Sequence, residues 1–173
     1  HNIVAGSTKS NLRQIVQRQM SQEGRQCRCI RCSEIRGRQV SSEALRLVDL
    51  VYSGGATEEH LLRFLTADEK LAGFLRLSLP DHPADPVLPE LAGSAMIREV
   101  HVYGPALAIS AGSAGEPQHM GLGGQLIREA IRIARSAGYG RISVIAAIGT
   151  RDYYRRQNFE LGEQYMSRPT GSD

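Results

Sequence analysis

Glycines at 121, 123 and 124, set directly in front of an amphipathic run, constrain this chain more than any other feature. The segment reads Gln118-His119-Met120-Gly121-Leu122-Gly123-Gly124, and Leu126, Ile127, Ala130, Ile133 and Ala134 follow at helical spacing. The first turn of a helix carries N–H groups without intrahelical partners, and the helix dipole adds positive potential there. Glycines leave that turn bare, so a phosphate can reach the backbone. The pattern predicts a helix from about Leu122 to Ser136, stopped at Gly138, whose start cradles a pyrophosphate. That makes the chain a candidate binder of a nucleotide-type cofactor.

The order of elements around this turn narrows the fold. Asn11 to Glu23 has Leu12, Ile15, Val16 and Met20 at helical spacing, and Gly24 can end it. Alternating patterns over Leu45–Tyr52, Glu59–Thr66 and Lys70–Leu79 predict an antiparallel meander, with a turn at Ala67-Asp68-Glu69. Pro80, Pro83, Pro86 and Pro89 demand an irregular loop. Ser94–Tyr103 reads as a fourth strand and 106–117 as a mobile Gly/Ser/Ala loop. After the glycine-led helix come a buried strand over Arg141–Ile148, a short helix over Arg151–Gln157 and a last strand over Phe159–Met166. A dinucleotide-binding fold needs Gly-x-Gly-x-x-Gly early, in repeated βαβ units. Here the glycines come late, after an antiparallel sheet, and the third is misplaced. A nucleoside-triphosphate P-loop is excluded, since no Gly-Lys-Ser/Thr follows the glycines.

At 173 residues and 41% hydrophobic, the chain suits one domain with a small appendage. No apolar run reaches the length of a membrane span and no signal peptide opens it, so the expectation is a soluble, cytoplasmic protein with no membrane partner. The start at His1 without an initiator Met fits a fragment or a processed product. Charge is uneven: residues 1–40 hold eight Lys/Arg against two acids, a local +6, leaving −3 for the rest. That basic segment points to an anionic partner or to a solvated arm.

The three cysteines fall in one run, Cys27-Arg28-Cys29-Ile30-Arg31-Cys32, expected as a loop or short turn. An odd, tight cluster is no secreted disulfide framework. Three thiolates suit zinc, whose fourth ligand would come from His60, His82, His101, His119 or outside the chain. The other reading is three reduced, partly buried thiols.

Specific residues now carry a resemblance. Gln118-x-x-Gly121-x-Gly123-Gly124 resembles the acetyl-coenzyme A signature of the GCN5-related N-acetyltransferases, and Tyr153-Tyr154-Arg155-Arg156-Gln157-Asn158-Phe159 resembles their aromatic-Tyr-x-x-x-Gly-Phe segment. Asn158 stands where glycine is usual, and Asn tolerates the left-handed backbone the turn needs. Arg98-Glu99-Val100-His101-Val102-Tyr103-Gly104, Tyr165-Met166-Ser167 and the upstream Cys27-Arg28-x-x-Arg31-x-x-Glu34 look like the acetyltransferase domain of the Elongator catalytic-subunit family, over residues 1 to about 168.

The resemblance implies an α+β GCN5-related N-acetyltransferase fold: a mixed, mostly antiparallel sheet flanked by helices. It divides the chain into a basic helical and Cys-containing segment at 1–40, an acetyl-CoA-binding domain at 41–168 and a tail at 169–173. It also implies an acyltransferase that supplies an acetyl unit for carboxymethyl-type modification of wobble uridine-34 in tRNA. Its partners would be a tRNA anticodon stem-loop and a radical-SAM domain of the same polypeptide. S-adenosylmethionine and an iron–sulfur cluster would belong to that domain, whose cysteine triad this chain lacks. The competing readings are a self-contained protein-lysine or small-molecule N-acetyltransferase, and a non-catalytic CoA/RNA-binding module.

By the same resemblance, the backbone of Glu99, Val100, His101 and Val102 pairs with the pantetheine, as a strand edge pairs with any extended ligand. Leu122, Gly123 and Gly124 present N–H groups to the pyrophosphate, with Gly121, Gln118 and His119 lining the approach. Tyr154 faces the cofactor sulfur and can protonate the departing thiolate, while Tyr153 packs. Glu99 is a candidate general base, or else a surface ion-pair partner; His101 could equally be a core hydrogen bonder. Arg25, Arg28 and Arg31 are the candidate RNA contacts.

Overall fold

The computed structural model describes residues 11–36, 38, 40–81, 88–103 and 121–171. Gln118, His119, His82 and the 106–117 loop lie outside the described residues. The chain divides into two compact units, His1–Glu34 and Ile35–Asp173.

The smaller unit contains helix α1 (Leu12–Gln22) and the short helix α2 (Ile30–Ser33). Helix α1 buries no residue, and Leu12, Ile15 and Val16 are exposed. Gly24 ends it with φ +68, in the left-handed region the sequence assigned to glycine there. The Cys/Arg run is therefore not a plain loop, since its second half winds into α2.

The larger unit is built on one seven-stranded sheet in the order β1-β2-β3-β4-β5-β7-β6. Its strands are β1 (Arg46–Ser53), β2 (Thr57–Leu65), β3 (Leu71–Pro80), β4 (Ser94–Val102), β5 (Arg141–Val144), β6 (Glu160–Leu161) and β7 (Met166–Pro169). Every neighbouring pair is antiparallel except β4 with β5. That parallel step requires a crossover, and helix α3 (Leu122–Ser136) lies on it. The mixed, mostly antiparallel sheet with helices is the fold that the resemblance implied.

Helix α3 lies against β2, β3, β4 and β5 and buries Leu122, Gly124, Leu126, Ile127, Ala130, Ile133 and Ala134. Leu126 and Ile127 are fully buried, and each contributes about 1.5–3 kcal/mol. The short helix α4 (Arg151–Arg155) follows β5 and buries Tyr154. Asn158 adopts φ +62, so the turn that usually takes glycine is kept.

Two sequence expectations change in the last third. The strand expected over Arg141–Ile148 stops at Val144, and Ile145 and Ile148 stand 61% and 82% exposed. The strand expected over Phe159–Met166 splits into β6 and β7. Between them the Glu90 carboxylate accepts the backbone N–H groups of Glu163, Gln164 and Tyr165 at 3.0–3.4 Å. A side chain at Gly162 would sit 2.7 Å from that carboxylate.

Candidate active site

Strand β4 creates the site by leaving its neighbour. It pairs with β5 only from Ser94 to Ile97, but with β3 as far as Val102. At Arg98 one extra residue enters β4: Ile97 faces Leu77 while Glu99 faces Arg76. Such a bulge bends and twists its strand. From Arg98 onward the β5-facing backbone of β4 has no strand partner among the described residues. This is the gap where Glu99, Val100, His101 and Val102 are expected to pair with a pantetheine.

Past the bulge the side chains alternate. Val102 points to the helix side, with its Cγ2 3.6 Å from where a Cβ on Gly123 would stand. Glu99 and His101 point to the other face. There Glu99 accepts a hydrogen bond from Arg76 at 3.1 Å and meets His101 Nε2 at 3.4 Å. The Glu99 hydrogen bond first, with Tyr52 also beside it, holds the Arg76 guanidinium above its usual range. Glu99 is thus an ion-pair partner whose carboxylate remains one-third exposed. His101 stacks on Phe74, with centroids 5.2 Å apart. Tyr52, Phe74 and Arg76 escaped the sequence reading, because only strand register brings them beside Glu99 and His101.

The start of α3 lies across the gap. Gly121 is its N-cap, with φ −56 and ψ 170, and no side chain caps the helix. The first turn holds no acidic residue. The Gly124 amide turns back to the Gly121 carbonyl at 2.9 Å, so the amides of Leu122 and Gly123 are the ones this turn offers to an anion. Among the described residues, nothing lies within 4 Å of where a Cβ on Gly121 would stand. A Cβ on Gly123, by contrast, would stand 2.6 Å from the Tyr153 hydroxyl. Glycine at 123 thus avoids crowding the Tyr153 hydroxyl.

Tyr153 and Tyr154 meet edge to face at 5.3 Å, and Tyr154 meets Phe159 the same way at 5.5 Å. Burial first, then the neighbouring Tyr153, pushes the Tyr154 phenol up to about 12. It is a protonated donor across the neutral range. A separate cavity of about 300 Å³, lined by Glu90, Arg141, Gly162 and Arg168 among others, lies at the opposite end of β5 from this gap.

In the smaller unit, the sulfurs of Cys27, Cys29 and Cys32 lie within 4.8 Å of one another. Arg13 donates to Cys32 at 3.0 Å and Gln17 at 3.3 Å. Hydrogen bonds from the Cys27 thiol first, then from the Cys32 backbone and from Arg13, hold the Cys29 thiol down to about 6. Three sulfurs this close could hold one tetrahedral metal at Zn–S distances of about 2.3 Å. Among the described residues of this unit, the group consists of these three sulfurs. Provided a fourth ligand is supplied, elemental analysis of protein purified without added metal is expected to find about one zinc per chain. Folded, metal-free protein would instead point to three reduced thiols, with Arg13 the partner of Cys29 and Cys32. Arg25, Arg28 and Arg31 are exposed around this cluster.

No family model matches the chain. Similar proteins do. A tRNA uridine(34) acetyltransferase of Dehalococcoides mccartyi is 35% identical over 171 residues, covering 94% of this chain and 37% of the relative. Elongator complex protein 3 of Drosophila melanogaster is 32% identical over 173 residues, covering 96% and 31%. Among solved structures, an archaeal Methanocaldococcus infernus Elp3 with an N-terminal deletion is 34% identical at a TM-score of 0.76, covering 96% of this chain and 41% of that one. The chain thus spans about a third of the length of the curated relatives it matches.

Proposed function

Because this chain belongs to the family of Elongator complex protein 3 and the tRNA uridine(34) acetyltransferases, we propose that its larger unit binds acetyl-CoA and delivers the acetyl unit to uridine-34 of tRNA. The modification made is of the carboxymethyl type, completed by a radical-SAM domain that holds S-adenosylmethionine and an iron–sulfur cluster. The observation that carries the reading is the gap beyond Ile97, with a β4 edge that has no strand partner among the described residues on one side and a helix start at Gly121 without a side-chain cap on the other. The edge takes the pantetheine amides through Glu99 to Val102. The amides of Leu122 and Gly123 take the pyrophosphate, Gly121 gives it room, and Gln118 completes the approach.

Tyr154 is the donor to the sulfur as thiolate develops. Glu99 serves as base only when a water or acceptor displaces Arg76 or His101, which now share its carboxylate. The basic segment at 1–40 contacts the phosphates of the anticodon stem-loop through Arg25, Arg28 and Arg31.

The test is acetyl-CoA turnover with and without tRNA. We expect tRNA to stimulate turnover. Replacing Arg25, Arg28 and Arg31 by Glu should abolish that stimulation, weaken tRNA binding, flatten its salt dependence and leave CoA affinity intact. A thermal melt checks that the cysteine cluster still folds. Acetylation of a lysine peptide without RNA would favour the self-contained N-acetyltransferase. Binding of both ligands without turnover would leave a binding module.

A further inference from the structure

Beyond the bulge the strand's two surfaces serve different purposes. Main-chain groups of residues 99–102 face the gap, while the side chains of Glu99 and His101 leave on the face opposite α3. Three rings lie nearly parallel there: Phe74 with His101 at 5.2 Å and 20°, Phe74 with Tyr103 at 6.2 Å and 29°, His101 with Tyr103 at 6.3 Å and 14°. Phe74 is buried at 3% exposure and fixes the stack from below, whereas the His101 side chain is 55% exposed. A flat ring held rigidly from one side and open on the other is a stacking surface. Beside it stands the Arg76–Glu99 pair, a donor and an acceptor side by side.

We propose that the exposed ring of His101, backed by Phe74 and flanked by Tyr103, is the platform on which the acceptor's nucleobase stacks. This rests on the reading of the acceptor as RNA. The choice of a base follows from chemistry. Every base has a π-face, and a pyrimidine imide edge alternates carbonyl, N–H and carbonyl. Arg76 can donate to its carbonyls and Glu99 can accept from its N–H. An aliphatic amine could meet Glu99 but has no π-face to stack and no carbonyl for Arg76 to reach.

The experiment uses the whole chain with CoA bound and a stem-loop RNA carrying a single 5-fluorouridine at the loop position to be modified. Fluorine resonance reports stacking directly, through the ring-current shift on binding. Wild-type protein should shift the signal. His101→Ala should abolish the shift and weaken binding by about 5- to 150-fold, the range for losing one base–aromatic stack. His101→Phe keeps a flat ring and should restore both. An abasic nucleotide at that position should bind wild type about as weakly as the intact RNA binds His101→Ala.

If His101→Ala binds the RNA as tightly with the same shift, the platform is wrong although the RNA reading survives. If wild type binds CoA but no RNA, both fall together. Loss of lysine-peptide binding in His101→Ala, with RNA binding unchanged, would also overturn the platform and assign this face to a protein acceptor.

Discussion

Gly123→Glu is expected to abolish CoA binding. The substitution places a carboxylate at the first turn of α3, where the amides of Leu122 and Gly123 are left for phosphate. Two unit charges about 4 Å apart near a protein surface repel by roughly 4 kcal/mol, equivalent to about 10³ in affinity. A second effect adds to this, because any Cβ at Gly123 would crowd the Tyr153 hydroxyl at 2.6 Å. The two causes separate cleanly. Gly123→Ala brings the crowding without the charge and should lower stability by about 1–3 kcal/mol, the usual range for overpacking. Tyr153→Phe removes the offending hydroxyl, so Gly123→Ala in that background should melt close to the Tyr153→Phe protein. Calorimetric titration of folded Gly123→Glu showing wild-type CoA affinity would end the cradle assignment. An unchanged melt for Gly123→Ala would end the steric account and leave the cradle standing.

Tyr154→Phe should lower acyl turnover by about 10²–10³ under conditions where acyl transfer limits, with CoA affinity nearly unchanged. The side chain is buried among Tyr153, Phe159 and the core, so Phe keeps the packing and removes only the hydroxyl. Burial pushes the phenol up to about 12. The folded state therefore holds the proton, and no alkaline limb in the wild-type rate below about pH 11 should come from this group. Turnover equal to wild type would remove Tyr154 from the chemistry and leave it a core aromatic. A parallel loss in CoA affinity would mean that the hydroxyl holds the cofactor in its ground state rather than the developing thiolate.

Helix α3 was legible to the residue, because fifteen residues repeat one apolar face and glycine marks both ends. The meander was legible within two residues at each end, since alternation and turn residues agree there. Strand β5 was overrun, because Ile145 and Ile148 look like core yet stand in solvent where the sheet partner ends. The β6–β7 turn could not be read locally, because what holds it is Glu90, more than seventy residues earlier. The acceptor face was the least visible part of the site. Phe74 and Arg76 reach His101 and Glu99 only through the β3–β4 register, and no spacing along either strand announces it.

The bulge at Arg98 acts as a parity bit. Up to Ile97 the odd-numbered residues of β4 face the helix: Ala95 and Ile97 are both fully buried. After it the even-numbered ones do, as Val102 against Gly123 attests. The letters carry the same inversion, with apolar residues at 95 and 97 and then at 100 and 102. A frame-preserving deletion of one codon at Arg98 would therefore straighten the strand without turning it over, because Ile97 and Glu99 already face the adjacent partners Leu77 and Arg76. Glu99 and His101 would keep the face opposite the helix and the two valines the helix side, whereas deleting a residue beyond the bulge, such as Val100, would carry His101 to the helix side and Val102 to the opposite face. What the extra residue supplies is the bend of the strand, not the facing of the side chains beyond it.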